Sequence, residues 1–289
     1  MYQIHLFKDP RHFQILFQSS FLIYGVVFLH WSSPLWIYAA YFITGIVMHT
    51  ICEAGFTTKQ FPVFSSRWWT KWWMGMPSAL ISSYGLCLFL KTDMPEVAIA
   101  ASAIAILSKY IIRINGKHLF NPSALGIVLA VLWSGKAWIN PGQWGSGAFL
   151  LAGILTVGII VVTKVQKLDV SLAFLGTYAI LLFSRQALYL NWPLDFFTQT
   201  ISTGAVLVFS FFMISDPKTT PNHPVARILW AMMVASIAFY MTSFRYIVGA
   251  PVFALVLSQM TVPLFDQLFR GTNFQWKYFT ASTLKPAMP

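Results

Sequence analysis

Ten apolar runs of 13 to 20 residues, separated by short polar segments, constrain the fold of this chain more than any other feature of its sequence. Charged residues make up only 9% of the chain, against about 25% in soluble domains. Such runs are typical of helices that cross a bilayer, where every backbone polar group must be satisfied within the helix. The pattern therefore predicts an all-α, polytopic membrane protein with about ten transmembrane helices.

The predicted spans follow these apolar runs. They are Phe13–Trp31, Leu35–Cys52, Met76–Leu90, Val97–Ile112, Asn121–Trp133, Ser146–Thr163, Val170–Phe183, Ile201–Ile214, Ile228–Thr242 and Tyr246–Phe265. Several are shorter than the roughly 20 residues of a perpendicular span, which is typical of helices that line an internal cavity. No soluble domain interrupts them, so residues 1–289 are predicted to form one integral membrane domain with a short N-terminal segment, 1–12, and a C-terminal tail, 266–289.

The connector Glu53–Gly75 carries an aromatic and basic cluster. Its segment R-W-W-T-K-W-W, from Arg67 to Trp73, places four tryptophans beside two cations. Because tryptophan rings settle at the depth of the lipid headgroups, we expect this connector to lie as an amphipathic segment at the membrane surface.

Basic residues are distributed asymmetrically between the predicted loops. Lysine and arginine number 19 against 8 acidic residues, a net charge of +11. They lie between apolar runs rather than in one patch, which argues against a nucleic-acid partner and for contact with the lipid bilayer. With ten spans, 15 of the 19 fall in loops or at span ends on the N-terminal side, so the positive-inside rule predicts that both termini are cytoplasmic.

The stretch from Met213 to Arg227, M-I-S-D-P-K-T-T-P-N-H-P-V-A-R, interrupts two apolar runs with three prolines. Proline fixes φ and removes a backbone donor, while side chains such as Asp216 and Thr219 can bond the backbone groups that a turn leaves free. A rigid polar hairpin on the cytoplasmic side is predicted. A turn that only ends a helix is the alternative interpretation.

A second proline-opened segment, F-N-P-S-A-L-G from Phe120 to Gly126, falls on the same predicted side. Asn121 before Pro122 is the preferred order for a helix start, where free N–H groups suit an anionic or carbonyl-bearing ligand. Two proline-broken segments that converge on one face indicate a binding site in membrane proteins. On these residues alone, a capped helix start with no ligand is the favoured interpretation.

Two further groups of residues are candidates for chemistry. His49 and Glu53 stand four residues apart on one helix face, beside Cys52. Two ligands do not make a metal site, so a hydrogen-bonded pair is the favoured interpretation and no metal is predicted. The loop Trp138–Phe149 contains the glycine-rich segment G-S-G-A-F, which either lets the backbone approach a flat ring system or marks a turn.

In order and spacing, F-N-P-S-A-L-G at 120–126, the Ser-Gly-Ala motif at 146–148 and S-D-P-K-T-T-P at 215–221 resemble the RnfD/NqrB family. Its members are ten-span, flavin-carrying subunits of the Rnf complex and of the sodium-pumping NADH:quinone oxidoreductase. The resemblance implies electron transport in a bacterial inner membrane, with other membrane or periplasmic subunits as partners.

In that family a threonine that closes an S-G-A-T motif carries FMN through a phosphoester bond. The matching residue here is Phe149, which has no hydroxyl, so no covalent FMN is expected at that position. The resemblance then implies a noncovalent flavin, FMN or riboflavin. Its expected contacts are hydrogen bonds and charge balance from Asn121, Ser123, Lys117, Asp216, Thr219, Thr220 and Arg227, with Ser146 as the nearest hydroxyl to the lost attachment point.

No catalytic residue is predicted, and two other functions remain open. One alternative is a cofactor-free scaffold that anchors partner proteins in the membrane. The other is a small-solute channel, since the family fold is similar to that of urea transporters. Flavin absorbance distinguishes the flavin-carrying electron-transfer subunit from both alternatives.

Overall fold

The structure, a computed structural model, describes residues 9–57, 62–145, 147–272 and 274. This part of the chain is mainly helical, which confirms the predicted fold class. The helices are α1 (Pro10–Val27), α2 (Leu35–Thr57), α3 (Ser66–Phe89), α4 (Pro95–Ile111), α5 (Pro122–Ser134), α6 (Ala148–Lys164), α7 (Leu168–Phe183), α8 (Leu194–Ile201), α9 (Gly204–Val208), α10 (Pro224–Ser243), α11 (Ala250–Gln259) and α12 (Val262–Leu268). Turns of π-helix extend α7 over Ser184–Tyr189 and α9 over Phe209–Met213.

Several helices have the length and composition of membrane spans. Three continuous ones pass on both criteria: Leu35–Phe56, Leu168–Tyr189 and Pro224–Ser243. Two bent pairs raise the number to five in the described residues, α8 with α9 at 43° and α11 with α12 at 50°. The chain is thus a polytopic membrane protein, while the number of ten spans stays a prediction.

Most of the connector predicted over Glu53–Gly75 is helical and continuous with α2 or α3, while its position at the membrane surface stays a prediction. Helix α2 continues to Thr57, and the tryptophan-rich segment forms the first turns of α3. The helix starts there because the Ser65 hydroxyl accepts the backbone N–H of Trp68 at 3.2 Å. Trp68 is buried and Trp73 is 64% exposed, so the amphipathic character belongs to the opening of a longer helix.

Two other predicted spans are divided. The eighth, predicted over Ile201–Ile214, is divided between α9, which starts at Gly204, and a further short helix, α8, which ends at Ile201. The tenth, predicted over Tyr246–Phe265, breaks between α11 and α12 because Pro263 at the start of α12 supplies no backbone donor.

Small residues allow the helices to approach closely. Helix α10 packs against α7 and α11, and its Ala231 and Ala235 are fully buried. A Cβ added to Gly126 on α5 would lie 2.6 Å from the backbone oxygen of Ala101 on α4. Such contacts are typical of membrane helices, whose association depends on close packing. Large apolar side chains such as Trp133, 74% exposed, cover the outside of the bundle.

Two short antiparallel pairs of strands mark different loops. Strands β1 (Leu90–Thr92) and β4 (Ala137–Ile139) pair with each other, which brings two loops predicted to be external to the same end. Strands β2 (Arg113–Ile114) and β3 (Lys117–His118) form a tight hairpin. Its two turn residues, Asn115 and Gly116, both have positive φ, as a two-residue turn of this kind requires.

Candidate functional site

Asn121 joins the start of α5 to the polar hairpin 214–223. Its Oδ1 accepts the backbone N–H of Ala124 at 3.1 Å and the hydroxyl of Ser123 at 2.8 Å, which makes it the N-cap of α5. Its Nδ2 donates to the backbone oxygen of Met213 at 3.2 Å and lies 3.5 Å from Oδ2 of Asp216. The predicted cap is therefore present, and the same side chain also connects the two proline-broken segments.

The hairpin is held by its own aspartate. Oδ1 of Asp216 accepts the backbone N–H of Lys218 at 3.0 Å, and the backbone oxygen of Asp216 accepts the N–H of Thr219 at 3.2 Å. This is the local hydrogen bonding expected of an aspartate before a turn. Thr219 and Thr220 are both buried, and within the described residues the hydroxyl of Thr220 has no partner.

Lys117 is fully engaged by protein groups. Its ammonium donates to the backbone oxygen of Thr220 at 2.7 Å, to Oδ1 of Asn222 at 3.1 Å and to Oδ2 of Asp266 at 2.8 Å. Arg227 is similarly occupied, because its guanidinium forms an ion pair with Asp169 at 2.6 Å. Both cations hold the hairpin and its neighbouring helices together.

A polar cavity of about 490 Å³ opens between the start of α5, the hairpin and helices α1 to α4. Three of the residues expected to contact a ligand line it: Asn121, Ser123 and Asp216. Four others, Lys117, Thr219, Thr220 and Arg227, lie in the surrounding network and not on its wall. Ser146 lies outside the described residues. The volume is that of a small-molecule site.

Positive charge predominates on the wall of the polar cavity. Five basic side chains line it against two acidic ones, Glu53 and Asp216; the basic residues are Arg11, Lys71, Lys109, Arg113 and Lys218. Burial raises the pKa of the Asp216 carboxyl, which the N–H of Lys218 and the nearby cations oppose. Burial also lowers the pKa of the Lys218 ammonium.

Two polar atoms on this wall, Oε1 of Gln18 on α1 and Nδ1 of His118 on β3, are buried and have no hydrogen-bond partner within the described residues. Lys109 is a third candidate, because the residue is 7% exposed and its ammonium forms neither a hydrogen bond nor an ion pair in the described chain, with Asp216 and Glu53 as opposite charges nearby. Buried polar groups without a protein partner are candidates for contact with a ligand or with water. None of the three was predicted from the sequence as a ligand contact.

His49 and Glu53 are linked through a third residue, and not directly as the predicted hydrogen-bonded pair. Nδ1 of His49 lies 2.9 Å from the hydroxyl of Tyr110, which in turn lies 3.0 Å from Oε1 of Glu53. Within the described residues no group of three or more His, Cys, Asp or Glu side chains could hold a metal ion.

The profile of the NQR2, RnfD, RnfE family matches residues 24–275, which is most of the chain. The chain belongs to this family. It is 29% identical over 137 residues to the D subunit of the ion-translocating oxidoreductase complex of Psychromonas ingrahamii, and 26% identical over 135 residues to that of Vibrio atlanticus. These matches cover 46% of the chain but only 35% and 36% of the relatives, so the chain spans about a third of their length.

A second cavity, of about 480 Å³ and mostly apolar, lies toward the β1–β4 end of this RnfD-family chain. The start of α9 and the segment 246–252 form much of its wall. Phe89, which is 4% exposed, lines both cavities and thus lies between them. Near this end, a Cβ on Gly204 would come within 2.7 Å of Trp144, so the loop after β4 packs tightly on α9. The side chain of Phe149 lies outside the described part of the chain.

Of the two cavities, the polar one offers the hydrogen-bonding groups that a flavin ring would need. One edge of the isoalloxazine ring carries a ring N–H between two carbonyl groups, which needs both an acceptor and donors. The unpaired Oε1 of Gln18 and the ammonium of Lys109 supply these two kinds of group. Gly85 on the same wall allows the Ser123 side chain to pack against α3, because an added Cβ would lie 2.6 Å from the Ser123 hydroxyl.

Proposed function

We propose that this chain is an electron-transfer component of a membrane oxidoreductase complex and holds a flavin, FMN or riboflavin, noncovalently in the polar cavity. Membership of the NQR2, RnfD, RnfE family supports the assignment to such a complex. The observation that carries the flavin is a set of polar groups on the cavity wall that have no hydrogen-bond partner within the described residues: Oε1 of Gln18, Nδ1 of His118 and the ammonium of Lys109. A bound flavin supplies the redox chemistry, and the protein contributes position and electrostatics.

Individual residues have separate roles in this proposal. Lys109 and Gln18 bind the ring edge, and Nδ1 of His118 offers a further contact for a polar group of the ligand. Asn121 acts indirectly, since its side chain is occupied in holding α5 to the hairpin. The surplus of cations favours an electron-rich ligand, because it lowers the free energy of any negative charge placed in the cavity.

Absorbance of the purified full-length protein in the flavin bands tests the proposal. Gln18→Leu removes one acceptor and is expected to weaken flavin binding by roughly twofold to tenfold, the effect of losing one hydrogen bond worth about 0.5–1.5 kcal/mol. Gln199→Leu is the matched control, because Gln199 is exposed at the apolar cavity. Protein without flavin, or equal effects of the two substitutions, would overturn the assignment.

Attachment is tested on the same preparation. Because Phe149 cannot form a phosphoester, the denatured protein is expected to show no flavin fluorescence on a gel. A fluorescent band that survives denaturation would show that another residue accepts the flavin.

We also propose that the chain resides in the bacterial inner membrane with both termini in the cytoplasm, as the distribution of basic residues indicates. Reporter fusions at Lys218 and at the C-terminus are then expected to report a cytoplasmic location, and a fusion at Lys136 an external one. An external C-terminus would contradict this topology.

The cofactor-free scaffold and the solute channel remain alternatives. In the channel hypothesis Phe89 is the residue to change, because it lies between the two cavities. Phe89→Ala would then increase solute flux into liposomes, whereas a flavin carrier or a scaffold is expected to show no flux before or after the substitution.

A further inference from the structure

Three side chains on neighbouring helices form a hydrogen-bonded chain that ends at the polar cavity. His49 and Glu53 lie on α2, and Tyr110 lies on α4. Tyr110 and Glu53 line the cavity, while His49 is 1% exposed behind them. Three links connect these groups. Nε2 of His49 lies 3.1 Å from the backbone oxygen of Trp72, and Nδ1 lies 2.9 Å from the tyrosine hydroxyl. That hydroxyl lies 3.0 Å from Oε1 of Glu53.

The three hydrogen bonds of His49, Tyr110 and Glu53 require one more proton than a neutral imidazole, a tyrosine and a carboxylate carry together. The backbone oxygen of Trp72 can only accept, so Nε2 of His49 must carry a proton. In a neutral imidazole Nδ1 is then an acceptor and takes the single proton of Tyr110. The tyrosine oxygen would have no proton left for Glu53, and an ionised Glu53 can only accept. All three links therefore form only if one additional proton is present, on His49 or on Glu53.

We propose that His49, Tyr110 and Glu53 form a proton-binding site that holds one proton and exchanges it with the polar cavity. This function goes beyond holding a flavin and does not depend on which ligand occupies the cavity. It gives the chain a proton donor at the wall of the cavity in which the redox chemistry is proposed to occur.

The exchange conserves protons and charge. With the proton on His49, the imidazole is a cation and Glu53 a carboxylate. Transfer of the Nδ1 proton to the tyrosine oxygen, together with transfer of the tyrosine proton to Oε1 of Glu53, gives a neutral imidazole and a carboxylic acid. Glu53 then releases its proton to water or to a basic group in the cavity, and the electron pair of the O–H bond stays on the carboxylate.

The surrounding charges can respond to what occupies the cavity. Within the described residues, the titratable and charged groups that face the three residues are Cys52 on α2, Lys71 on α3, Lys109 on α4 and Arg113 on β2. Oε2 of Glu53 lies 3.9 Å from the Lys71 ammonium, which stabilises the carboxylate after the proton has left. Lys109 also lines the cavity, so a ligand whose negative charge neutralises Lys109 would favour retention of the proton.

The position of the imidazole is fixed by close packing. A Cβ added to Gly75 on α3 would lie 2.6 Å from Cε1 of His49. Glycine at this position thus leaves the ring the space in which both nitrogens reach their partners. The site is built by three helices and is not a chance contact of surface side chains.

Nuclear magnetic resonance of the full-length protein, labelled with ¹⁵N in histidine and ¹³C in the glutamate carboxyl groups, tests this proposal at pH 7. The chain has six histidines, of which His49 is assigned with His49→Gln. It has only two glutamates, Glu53 and Glu96, and Glu96 is exposed and serves as an internal ionised reference. We expect either a doubly protonated His49 with an ionised Glu53, or a neutral His49 protonated on Nε2 with a Glu53 carboxylic acid.

The contrary result is equally definite. A neutral His49, in either tautomer, together with an ionised Glu53 would show that the extra proton is absent and would overturn the proposal. Tyr110→Phe removes the connecting hydroxyl and is expected to make the signals of His49 and Glu53 titrate independently. Tyr84→Phe is the control, because the Tyr84 hydroxyl bonds Ser19 elsewhere in the bundle. Coupled titration that survives Tyr110→Phe would also contradict the proposed chain.

Discussion

Removing the ammonium of Lys117 is expected to destabilise the polar hairpin rather than to weaken a ligand contact. Lys117→Met keeps much of the side-chain volume but leaves three acceptors without their donor: the oxygen of Thr220, Oδ1 of Asn222 and Oδ2 of Asp266. Breaking a buried ion pair from one side costs about 3–5 kcal/mol. Asp266 keeps the N–H of Asn222 at 2.7 Å and is 15% exposed, so we expect about 2–4 kcal/mol.

Thermal unfolding in detergent measures this loss. For a chain of this size, 1 kcal/mol corresponds to about 2–4 °C, so the melting temperature of Lys117→Met is expected to fall by roughly 4–15 °C. Lys136→Met, at an exposed lysine near the other end, is the control and is expected to leave the melting temperature unchanged. In the double variant with Asp266→Asn, much of the loss should be recovered, because no buried carboxylate is then left unpaired.

This experiment separates the two interpretations of Lys117. If Lys117 balances the charge of a ligand, Lys117→Met would lower the flavin content of the protein without loss of stability. The added substitution Asp266→Asn would then restore no flavin content. Wild-type stability of Lys117→Met would show that the three hydrogen bonds of the Lys117 ammonium do not stabilise the hairpin.

Three further predictions concern the same end of the molecule. Burial lowers the pKa of His118 to about 3, so between pH 6.5 and 3 the unfolded chain gains a proton that the folded chain does not. The free energy of unfolding should therefore fall on acidification by up to about 1.4 kcal/mol per pH unit. Thermal melts across this window should show a smaller decrease for His118→Gln. Asn121→Asp keeps the cap but places a carboxylate near Asp216. At pH 7 its melting temperature should therefore be lower than that of Asn121→Ala, and the reverse order would mean that only the cap contributes to stability. Gly126→Ala should destabilise the protein by about 1–3 kcal/mol, because the added Cβ would contact α4. Gly176→Ala is the control, because nothing lies within 4 Å of its added Cβ. Equal melting temperatures of the two variants would contradict the close packing at Gly126.

Local chemistry explains what could be predicted from the sequence. The cap at Asn121 and the turn at Asp216 depend on side chains that bond backbone groups within three residues, so the residue types alone indicate them. Apolar runs likewise predict the helices. Their ends are less accessible, because the tryptophan-rich connector is amphipathic whether it lies on a membrane or opens a longer helix such as α3.

Contacts between residues far apart in the sequence explain what could not be predicted from it. Lys117 meets Asp266, which lies 149 residues later in the chain, and no local pattern distinguishes this lysine from one that contacts a ligand. Tyr110 enters between His49 and Glu53 from another helix, so their spacing on α2 indicates a shared face but not the residue that connects them. Prediction of both needs the packing of the helices.

The contrast between the occupied and the unpaired cations identifies where a ligand would bind. Motif reasoning selects Lys117 and Arg227 because they flank the two proline-broken segments, yet both have carboxylate partners in the protein. Lys109 belongs to no motif, and its ammonium faces the polar cavity without a hydrogen bond or an ion pair in the described chain, with Asp216 and Glu53 as opposite charges nearby. A buried charge that has no direct contact with an opposite charge can gain such a contact from a ligand. Proximity to a motif is therefore a weaker guide to the site than the absence of a partner, and Lys109 with Gln18 forms a better starting point than the residues that the motifs selected.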